Sequence, residues 1–114
     1  MIIIKQNILV VCGRGKKRSK TAETLYRNDY RINIRSVGLG STSNRMINKK
    51  DIEWANYILV MELKYKSRII DDYEKQEIPK IFVLGVEDKY EYMDKELGDI
   101  LKTKIEEVLK QIGL

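Results

Sequence analysis

Residues 8–19 read Ile-Leu-Val-Val-Cys-Gly-Arg-Gly-Lys-Lys-Arg-Ser, and this stretch decides the fold. The four consecutive apolar residues at its start are typical of a short strand that is buried on both faces of a sheet. A polar segment follows, and apolar residues such as Ala22 and Leu25 then recur at helical spacing. The stretch therefore predicts a central strand, a tight loop and a helix, in that order.

The rest of the chain repeats this alternation of apolar runs and amphipathic segments. Further strands are predicted at residues 32–37, 57–61 and 81–84, and helices at residues 48–55, at residues 63–70 and from a capping residue, Asp94, to the end. Parallel strands joined by helices need right-handed crossovers, which place helices on both faces of the sheet. We therefore expect an α/β fold, a small doubly wound four-stranded parallel sheet that binds its ligand at the carboxyl ends of the strands.

Length and composition favour one domain over residues 1–114, because the chain has 114 residues of which 43% are hydrophobic. The apolar run at residues 1–4 ends at Lys5, and it is too short for a membrane span or a signal peptide. A cytoplasmic protein with no membrane partner is expected. The net charge of +5 favours an anionic partner, without distinguishing a phosphate ester from nucleic acid or an acidic protein surface.

The chain contains one cysteine and no histidine. An internal disulfide is therefore excluded, and the commonest protein ligand for metal ions is missing. We expect no metal and no cofactor. The single cysteine, Cys12, is then either inert packing or the centre of the chemistry.

The loop after Cys12 has the composition of a phosphate cradle. Five residues separate Cys12 from Arg18, so successive backbone N–H groups can curl around one anion, and the start of the next helix adds positive charge. The planar guanidinium of Arg18 can hold two phosphate oxygens. The residues predicted to bind substrate are Gly13, Arg14, Gly15, Lys16 and Lys17.

The same positive field favours the thiolate form of Cys12, which is a nucleophile. Ser19 follows Arg18 and can donate a hydrogen bond to the sulfur as it leaves a phosphocysteine intermediate. Spacing alone leaves two other interpretations open, an inert buried cysteine and a solvated basic loop. A P-loop NTPase is not favoured, because Gly13 and Gly15 are not followed by the remaining glycine, lysine and hydroxyl residues at the required separations.

The segment from Cys12 to Ser19 resembles the loop of the low-molecular-weight protein tyrosine phosphatase family, Cys-x5-Arg-Ser directly after the first strand. The resemblance continues through Ala22 and Glu23, through residues 35–38, where the family has a Ser-Ala-Gly-like segment, and through residues 51–61. It is closest to a short, predicted branch of that family. The resemblance implies a cysteine-dependent phosphatase that hydrolyses phosphotyrosine or a similar phosphomonoester, on a protein or on a small molecule, through a phosphocysteine intermediate.

The resemblance also assigns roles outside the loop. The family's general acid lies in an Asp-Pro-Tyr loop, and Asp88-Lys89-Tyr90 occupies the matching place after the fourth strand. Asp88 is therefore the candidate acid, with Tyr90 as a wall of the slot for a flat phosphorylated ring. The family's loop asparagine is replaced by Gly15, so Ser36 is expected to share in supporting the loop.

Three alternatives remain. Arg14, Lys16 and Lys17 would make the rim of the site basic, which suits a more highly charged substrate or, less favoured, a nucleic-acid phosphate. A non-catalytic module that binds a phosphoprotein or nucleic acid would need the same loop. An arsenate reductase on this fold would need an external thiol, because the chain has no second cysteine. A phosphocysteine carrier is disfavoured by Arg18 and the acid loop.

Overall fold

The computed structural model describes residues 4–114, and residues 1–3, which hold most of the apolar run at the start, lie outside it. Strands and helices alternate in the described part, as predicted, with bounds that differ from the expected ones by a few residues. The elements are β1 (Gln6–Cys12), α1 (Arg18–Tyr26), β2 (Ile32–Gly38), α2 (Lys49–Trp54), β3 (Tyr57–Val60), α3 (Leu63–Asp72), β4 (Lys80–Val83) and α4 (Lys95–Gln111).

The four strands form one parallel sheet in the order β2-β1-β3-β4. Val10 of β1 lies opposite Ser36 of β2 on one side and Leu59 of β3 on the other. The chain therefore places β2 on one side of β1 and then changes direction to place β3 and β4 on the other side. In open α/β sheets this change of direction leaves a crevice at the carboxyl ends of the central strands, where ligands bind. The predicted doubly wound sheet is confirmed.

Strand β1 supplies side chains to two hydrophobic cores, one on each face of the sheet. Ile8 and Val10 pack into the core that α1 and α4 cover, whereas Leu9 and Val11 pack into the core under α2 and α3. All four are fully buried. Each such side chain stabilises the fold by about 1.5–3 kcal/mol relative to an exposed position. This explains why the run at residues 8–11 is continuously apolar and does not alternate.

Helix α4 closes the first of these cores. The Asp94 side chain accepts a hydrogen bond from the Leu97 N–H at 3.2 Å, so it caps the helix as the sequence predicts. Leu97, Leu101 and Ile105 are fully buried along one face of the helix. In the described part of the chain, no helix is both long enough and apolar enough to cross a membrane.

Candidate active site

The segment between β1 and α1 closes around the sulfur of Cys12. Gly15 has a positive φ of 66°, a backbone conformation that glycine adopts without strain, and its N–H donates to Cys12 Sγ at 3.1 Å. The hydroxyl of Ser19, in the first turn of α1, lies 3.0 Å from the same sulfur. Cys12 is 3% exposed. Two donor-capable groups thus face the sulfur at the base of the loop.

A second loop, residues 38–47, lies against the first and holds its backbone; we call it the supporting loop. The N–H groups of Leu39 and Gly40 donate to the Gly13 carbonyl at 3.1 and 3.0 Å, and the Asn44 N–H donates to the Arg14 carbonyl at 3.3 Å. These three hydrogen bonds come from the main chain, and the Ser43 hydroxyl donates a fourth to the Gly13 carbonyl at 3.3 Å. The loop is therefore held mainly by backbone groups at a place where the family it resembles has an asparagine side chain.

Gly38 makes this close approach possible. A Cβ atom at Gly38 would lie 2.5 Å from the Arg14 carbonyl carbon and 2.7 Å from the Gly15 nitrogen, both far inside van der Waals contact. Gly15 meets the same constraint from the other side, because its own Cβ would lie 2.9 Å from the Gly38 nitrogen. The two loops fit together only because both positions are glycine.

Arg18 is a buried cation, 2% exposed, that is anchored through one end of its guanidinium. Its Nη1 donates to Oε2 of Glu62 at 2.7 Å and to the Val86 carbonyl at 2.8 Å, which uses both protons of that nitrogen. Its Nη2 donates to the Tyr65 hydroxyl at 3.0 Å. The hydrogen bond from Arg18 also lowers the pKa of Glu62, so the pair stays charged at neutral pH.

This anchoring leaves the edge of Arg18 formed by Nε and the second proton of Nη2. A guanidinium binds a phosphate or carboxylate through two such parallel N–H groups. Oδ1 of Asp88 lies 3.7 Å from Nε. The candidate acid therefore lies at the same edge of Arg18 that is suited to a phosphate.

Cys12, Arg18 and Asp88 line one cleft of about 490 Å³ at the carboxyl edge of the sheet. Residues from the segments that follow each of the four strands contribute to it, with Tyr65 of α3 as the one after β3, as expected for the crevice of a doubly wound sheet. The lining residues are Cys12, Gly13, Arg14, Lys16, Lys17, Arg18, Gly40, Thr42, Tyr65 and Asp88. A cleft of this size accommodates a phosphorylated side chain or a small phosphate ester.

No family model matches the chain, and no curated protein sequence matches it. Solved structures do. The arginine phosphatase YwlE from Geobacillus stearothermophilus superposes with a TM-score of 0.72 at 20% identity, over 94% of this chain and 92% of that one. The tyrosine phosphatase Wzb from Escherichia coli K30, in complex with phosphate, gives 0.71 at 18% identity, over 96% and 100% of the two chains. This chain has the low-molecular-weight phosphatase fold.

A third structure with this fold is SP-PTP, a low molecular weight protein tyrosine phosphatase from Streptococcus pyogenes. It superposes with a TM-score of 0.71 at 14% identity, over 97% of this chain and 95% of that one. The structural match thus extends over nearly the whole length on both sides. It includes the sheet and the helices around it, and it agrees with the fold that the Cys12 to Ser19 resemblance implies.

The structure brings together most of the site residues predicted from the sequence. Cys12, Arg18 and Asp88 share the cleft with Gly13, Arg14, Lys16 and Lys17. Ser19 and Gly15 contact the sulfur from below. The side chain of Lys17 also pairs with Glu91 at 3.1 Å, on the side of the cleft next to the Asp88 loop.

Two predicted residues lie elsewhere. Tyr90 is buried among the core residues under α4, so it does not form a wall of the cleft. The chain turns inward after Asp88 and carries the tyrosine into the core. Ser36 does not contact the loop, because both its N–H and its hydroxyl donate to Oε2 of Glu23, at 2.9 and 3.1 Å. Ser36 thus joins β2 to α1. The supporting loop instead holds residues 13–17, which we call the phosphate loop.

Two residues of the site carry roles that the sequence did not assign. Glu62 immediately precedes α3, and Tyr65 lies in the first turn of that helix. Both hold Arg18, and the Arg18 guanidinium carbon also lies 5.7 Å from the centroid of the Tyr65 ring. The position of Tyr65 in the sequence could have indicated this role. It lies in the first helical turn after a strand end, where a side chain can reach the carboxyl edge of the sheet.

Proposed function

We propose that this protein is a cysteine-dependent phosphatase that hydrolyses a phosphorylated side chain or a similar phosphate ester through a phosphocysteine intermediate. One observation carries the proposal. The sulfur of Cys12 lies at the base of a cleft, 3.1 Å from the Gly15 N–H and 3.0 Å from the Ser19 hydroxyl, and Arg18 and Asp88 line the same cleft. Nucleophile, anion clamp and acid are thus within one site.

In the first step the phosphate binds in the loop, with Arg18 holding two of its oxygens. The Cys12 thiolate attacks phosphorus in line with the leaving group, and the sulfur–phosphorus bond forms as the bond from phosphorus to the leaving oxygen, or to the leaving nitrogen of a phosphoarginine, breaks. The electron pair goes to that leaving atom, which takes a proton from Asp88. Positive charge from Arg18 and from the loop N–H groups stabilises the oxygens of the transferring group.

In the second step a water molecule attacks phosphorus from the side that the leaving group vacated. Asp88, now a carboxylate, accepts the proton of that water. The sulfur–phosphorus bond breaks, inorganic phosphate forms and the electron pair returns to Cys12. The Ser19 hydroxyl is placed to donate a hydrogen bond to the departing thiolate.

The position of Asp88 favours turnover over the non-catalytic alternative. A module that only binds anions has no use for a carboxylate at the phosphate-binding edge, because its charge repels the ligand. In this structure Asp88 lines the cleft and lies 3.7 Å from Nε of Arg18. This arrangement suits a carboxyl group that exchanges a proton with the leaving atom, a role that a binding module does not need.

The substrate class has two leading members. Structural neighbours include enzymes named as tyrosine phosphatases and enzymes named as arginine phosphatases. The experiment therefore offers purified protein a small aryl phosphate, a phosphotyrosine peptide and a phosphoarginine peptide. We expect release of inorganic phosphate from at least one of them, reduced at least about 1,000-fold in Cys12→Ser, because the nucleophile is removed.

The single cysteine gives this experiment a direct readout. An acid-quenched reaction should carry one added phosphate on the peptide that contains Cys12, and inorganic phosphate should protect the same thiol from alkylation. Activity should persist in the presence of a chelator. Equal activity of wild type and Cys12→Ser would overturn the proposal.

A further inference from the structure

Arg14 and Lys16 are the two cations of the phosphate loop that line the cleft and have no ion-pair partner among the described residues. Both are exposed and line the cleft beside Cys12. Neither side chain makes an ion pair or a hydrogen bond with any residue between 4 and 114, the part that the structure describes. The remaining loop cations differ, because Lys17 pairs with Glu91 and Arg18 with Glu62. We call the pair Arg14 and Lys16 the cationic wall.

The cationic wall has a definite place relative to Asp88. Strand order puts the loop after β2 on one side of the phosphate loop and the loop after β4, with Asp88, on the other. The Arg14 carbonyl accepts from the Asn44 N–H, so Arg14 lies against the β2 side. Lys17 contacts Glu91 and marks the β4 side. The cleft is therefore electrostatically asymmetric.

Among the described residues that line the cleft, none on the β2 side is acidic. The supporting loop, residues 38–47, has no aspartate or glutamate, and its Thr42 lines the cleft with a hydroxyl. Its one cation, Arg45, is paired with the buried Asp51. A ligand group on this side meets Arg14, Lys16 and a hydroxyl donor, whereas a group on the other side meets Asp88.

We propose that the cationic wall is a subsite for an acidic side chain next to the phosphorylated residue of a polypeptide substrate. The proposal rests on the phosphatase function above and names its substrate class, an acidic phosphoprotein segment. One or two carboxylates of the segment pair with Arg14 and Lys16 and turn the leaving group toward Asp88. Two unpaired cations beside the phosphate cradle add charge that a phosphate monoester alone does not need.

The test uses two phosphotyrosine peptides that differ only in their flanking residues, glutamate in one and glutamine in the other, and the same two sequences with phosphoarginine. We expect the glutamate peptide to have a kcat/KM about tenfold higher at low salt, a difference of about 1.4 kcal/mol that two exposed ion pairs together can supply. The ratio should approach one at about 0.5 M salt, where screening removes such pairs. A double variant, Arg14→Glu with Lys16→Glu, should invert the ratio.

The matched control is Lys102→Glu, an equal change of charge per site on the exposed surface of α4, which should leave the ratio as in wild type. Hydrolysis of both peptides with equal kcat/KM would overturn the subsite and leave the phosphatase function standing. If no peptide is hydrolysed, the affinities of the glutamate and glutamine peptides for the Cys12→Ser variant are compared. Tighter binding of the glutamate peptide would uphold the subsite and reject the phosphatase, and equal binding would reject both.

Nucleic acid is the competing occupant of a basic wall. A single-stranded oligonucleotide matched in charge to the glutamate peptide serves as competitor against Cys12→Ser. If the oligonucleotide displaces the peptide at a lower concentration than the free glutamate peptide does, the wall is a nucleic-acid surface and the proposal fails. We expect the glutamate phosphopeptide to compete better, because only it also fills the phosphate cradle.

Discussion

Oδ1 of Asp88 lies 3.7 Å from Nε of Arg18, so the candidate acid and the candidate phosphate clamp meet although they come from opposite ends of the chain. Arg18 is buried and fixed by three other partners, whereas the Asp88 side chain is 66% exposed. The rigid partner is thus the clamp and the movable one is the acid. A phosphate that occupies the Nε edge of Arg18 would displace the Asp88 carboxylate toward the leaving group.

We expect Asp88→Asn to slow hydrolysis in a way that depends on the leaving group. General acid catalysis contributes about 100-fold or more, and it matters most for leaving groups that need a proton. With phenyl phosphate as substrate, kcat/KM should fall by about 100-fold, and with a dinitrophenyl phosphate it should fall far less. A plot of log kcat/KM against the pKa of the leaving phenol measures this difference in slope, because kcat/KM reports the step in which the phenol leaves.

The control for Asp88→Asn is Glu87→Gln, which removes the same charge from the neighbouring exposed acid. It should keep the wild-type slope. If Asp88→Asn retains that slope as well, Asp88 is not the acid, and Glu91, whose side chain pairs with Lys17 at the same rim, becomes the first alternative to examine.

The anchoring of Arg18 leads to a second prediction. Glu62→Gln removes the charge from the partner that lies 2.7 Å from Nη1, and a hydrogen bond to a charged group contributes about 1.5–3 kcal/mol. We expect at least about tenfold weaker binding of inorganic phosphate, measured as a competitive inhibitor or by calorimetry. Tyr65→Phe, which removes only the hydroxyl that accepts from Nη2, should have a smaller effect in the same direction.

Glu53→Gln on α2 is the control, because Glu53 is an exposed acid outside the cleft. Its phosphate affinity should equal that of wild type. Unchanged affinity in Glu62→Gln would mean that the loop and the remaining contacts, including the Val86 carbonyl, suffice to position Arg18.

The order of elements and the centre of the site were predictable from the sequence, because both depend on local patterns. The apolar run before Cys12 indicated a strand buried on both faces, and the spacing from Cys12 to Arg18 indicated the loop. Asp88 came from the resemblance and from its place after the fourth strand. The structure adds that these residues share one cleft.

The remaining features depend on the direction of single side chains. Tyr65 looked like any residue at the start of an amphipathic helix, and only the three-dimensional fold directs its hydroxyl to Arg18. Tyr90 was expected in the cleft because it follows Asp88 closely, yet the chain turns between them and buries it. Ser36 contacts α1 through Glu23. Chain order alone does not determine such directions.

The close fit of the two loops leads to a third prediction, on Gly38. Gly38→Ala places a Cβ atom 2.5 Å from the Arg14 carbonyl carbon, so backbone must move. Overpacking of this kind costs about 1–3 kcal/mol of unfolding free energy. Since the displaced atoms belong to the phosphate loop, we also expect weaker phosphate binding. Chemical denaturation and phosphate titration measure the two effects.

Gly98→Ala in α4 is the matched control. A Cβ atom there meets only Leu25 Cδ1, at 3.7 Å, which is ordinary contact. Alanine in a helix interior is favoured over glycine by about 0.5–1 kcal/mol, so this variant should be slightly more stable and bind phosphate as wild type does. Equal behaviour of the two alanine variants would show that the loops do not need the close approach at Gly38.

A fourth prediction concerns pH and the Glu23 carboxylate. Burial alone would raise the pKa of Glu23, but the hydrogen bonds from Lys20 and Ser36 outweigh it and hold the pKa below its ordinary value of 4.5. A carboxyl whose pKa is lower in the folded state than in the unfolded chain stabilises the fold. This stabilisation is complete when the pH lies above the pKa of the unfolded chain. This stabilisation is lost as the pH falls through the lower folded value.

The unfolding temperature, measured from about pH 7 down to about pH 3, should therefore fall less steeply in Glu23→Gln than in wild type, since the variant has lost the titrating group. Glu107→Gln, at an exposed position on α4, should keep the wild-type pH dependence. Parallel curves for wild type and Glu23→Gln below about pH 5 would show that the Ser36 and Lys20 contacts do not stabilise the charged form.

The hydroxyl of Ser19 leads to the last prediction, because it lies 3.0 Å from Cys12 Sγ and is fully buried. Ser19→Ala removes the donor that assists the sulfur as it leaves phosphorus, so breakdown of the phosphocysteine should slow about 10- to 100-fold. With an aryl phosphate, stopped-flow absorbance should then record a burst of about one phenol per active site, followed by slow turnover.

Ser41→Ala, at an exposed serine of the supporting loop, should give wild-type kinetics. In Ser19→Ala, kcat/KM should change less than kcat, because kcat/KM reports only the steps up to formation of the intermediate. An equal fall in both, with no burst, would instead place Ser19 in the activation of Cys12 for attack.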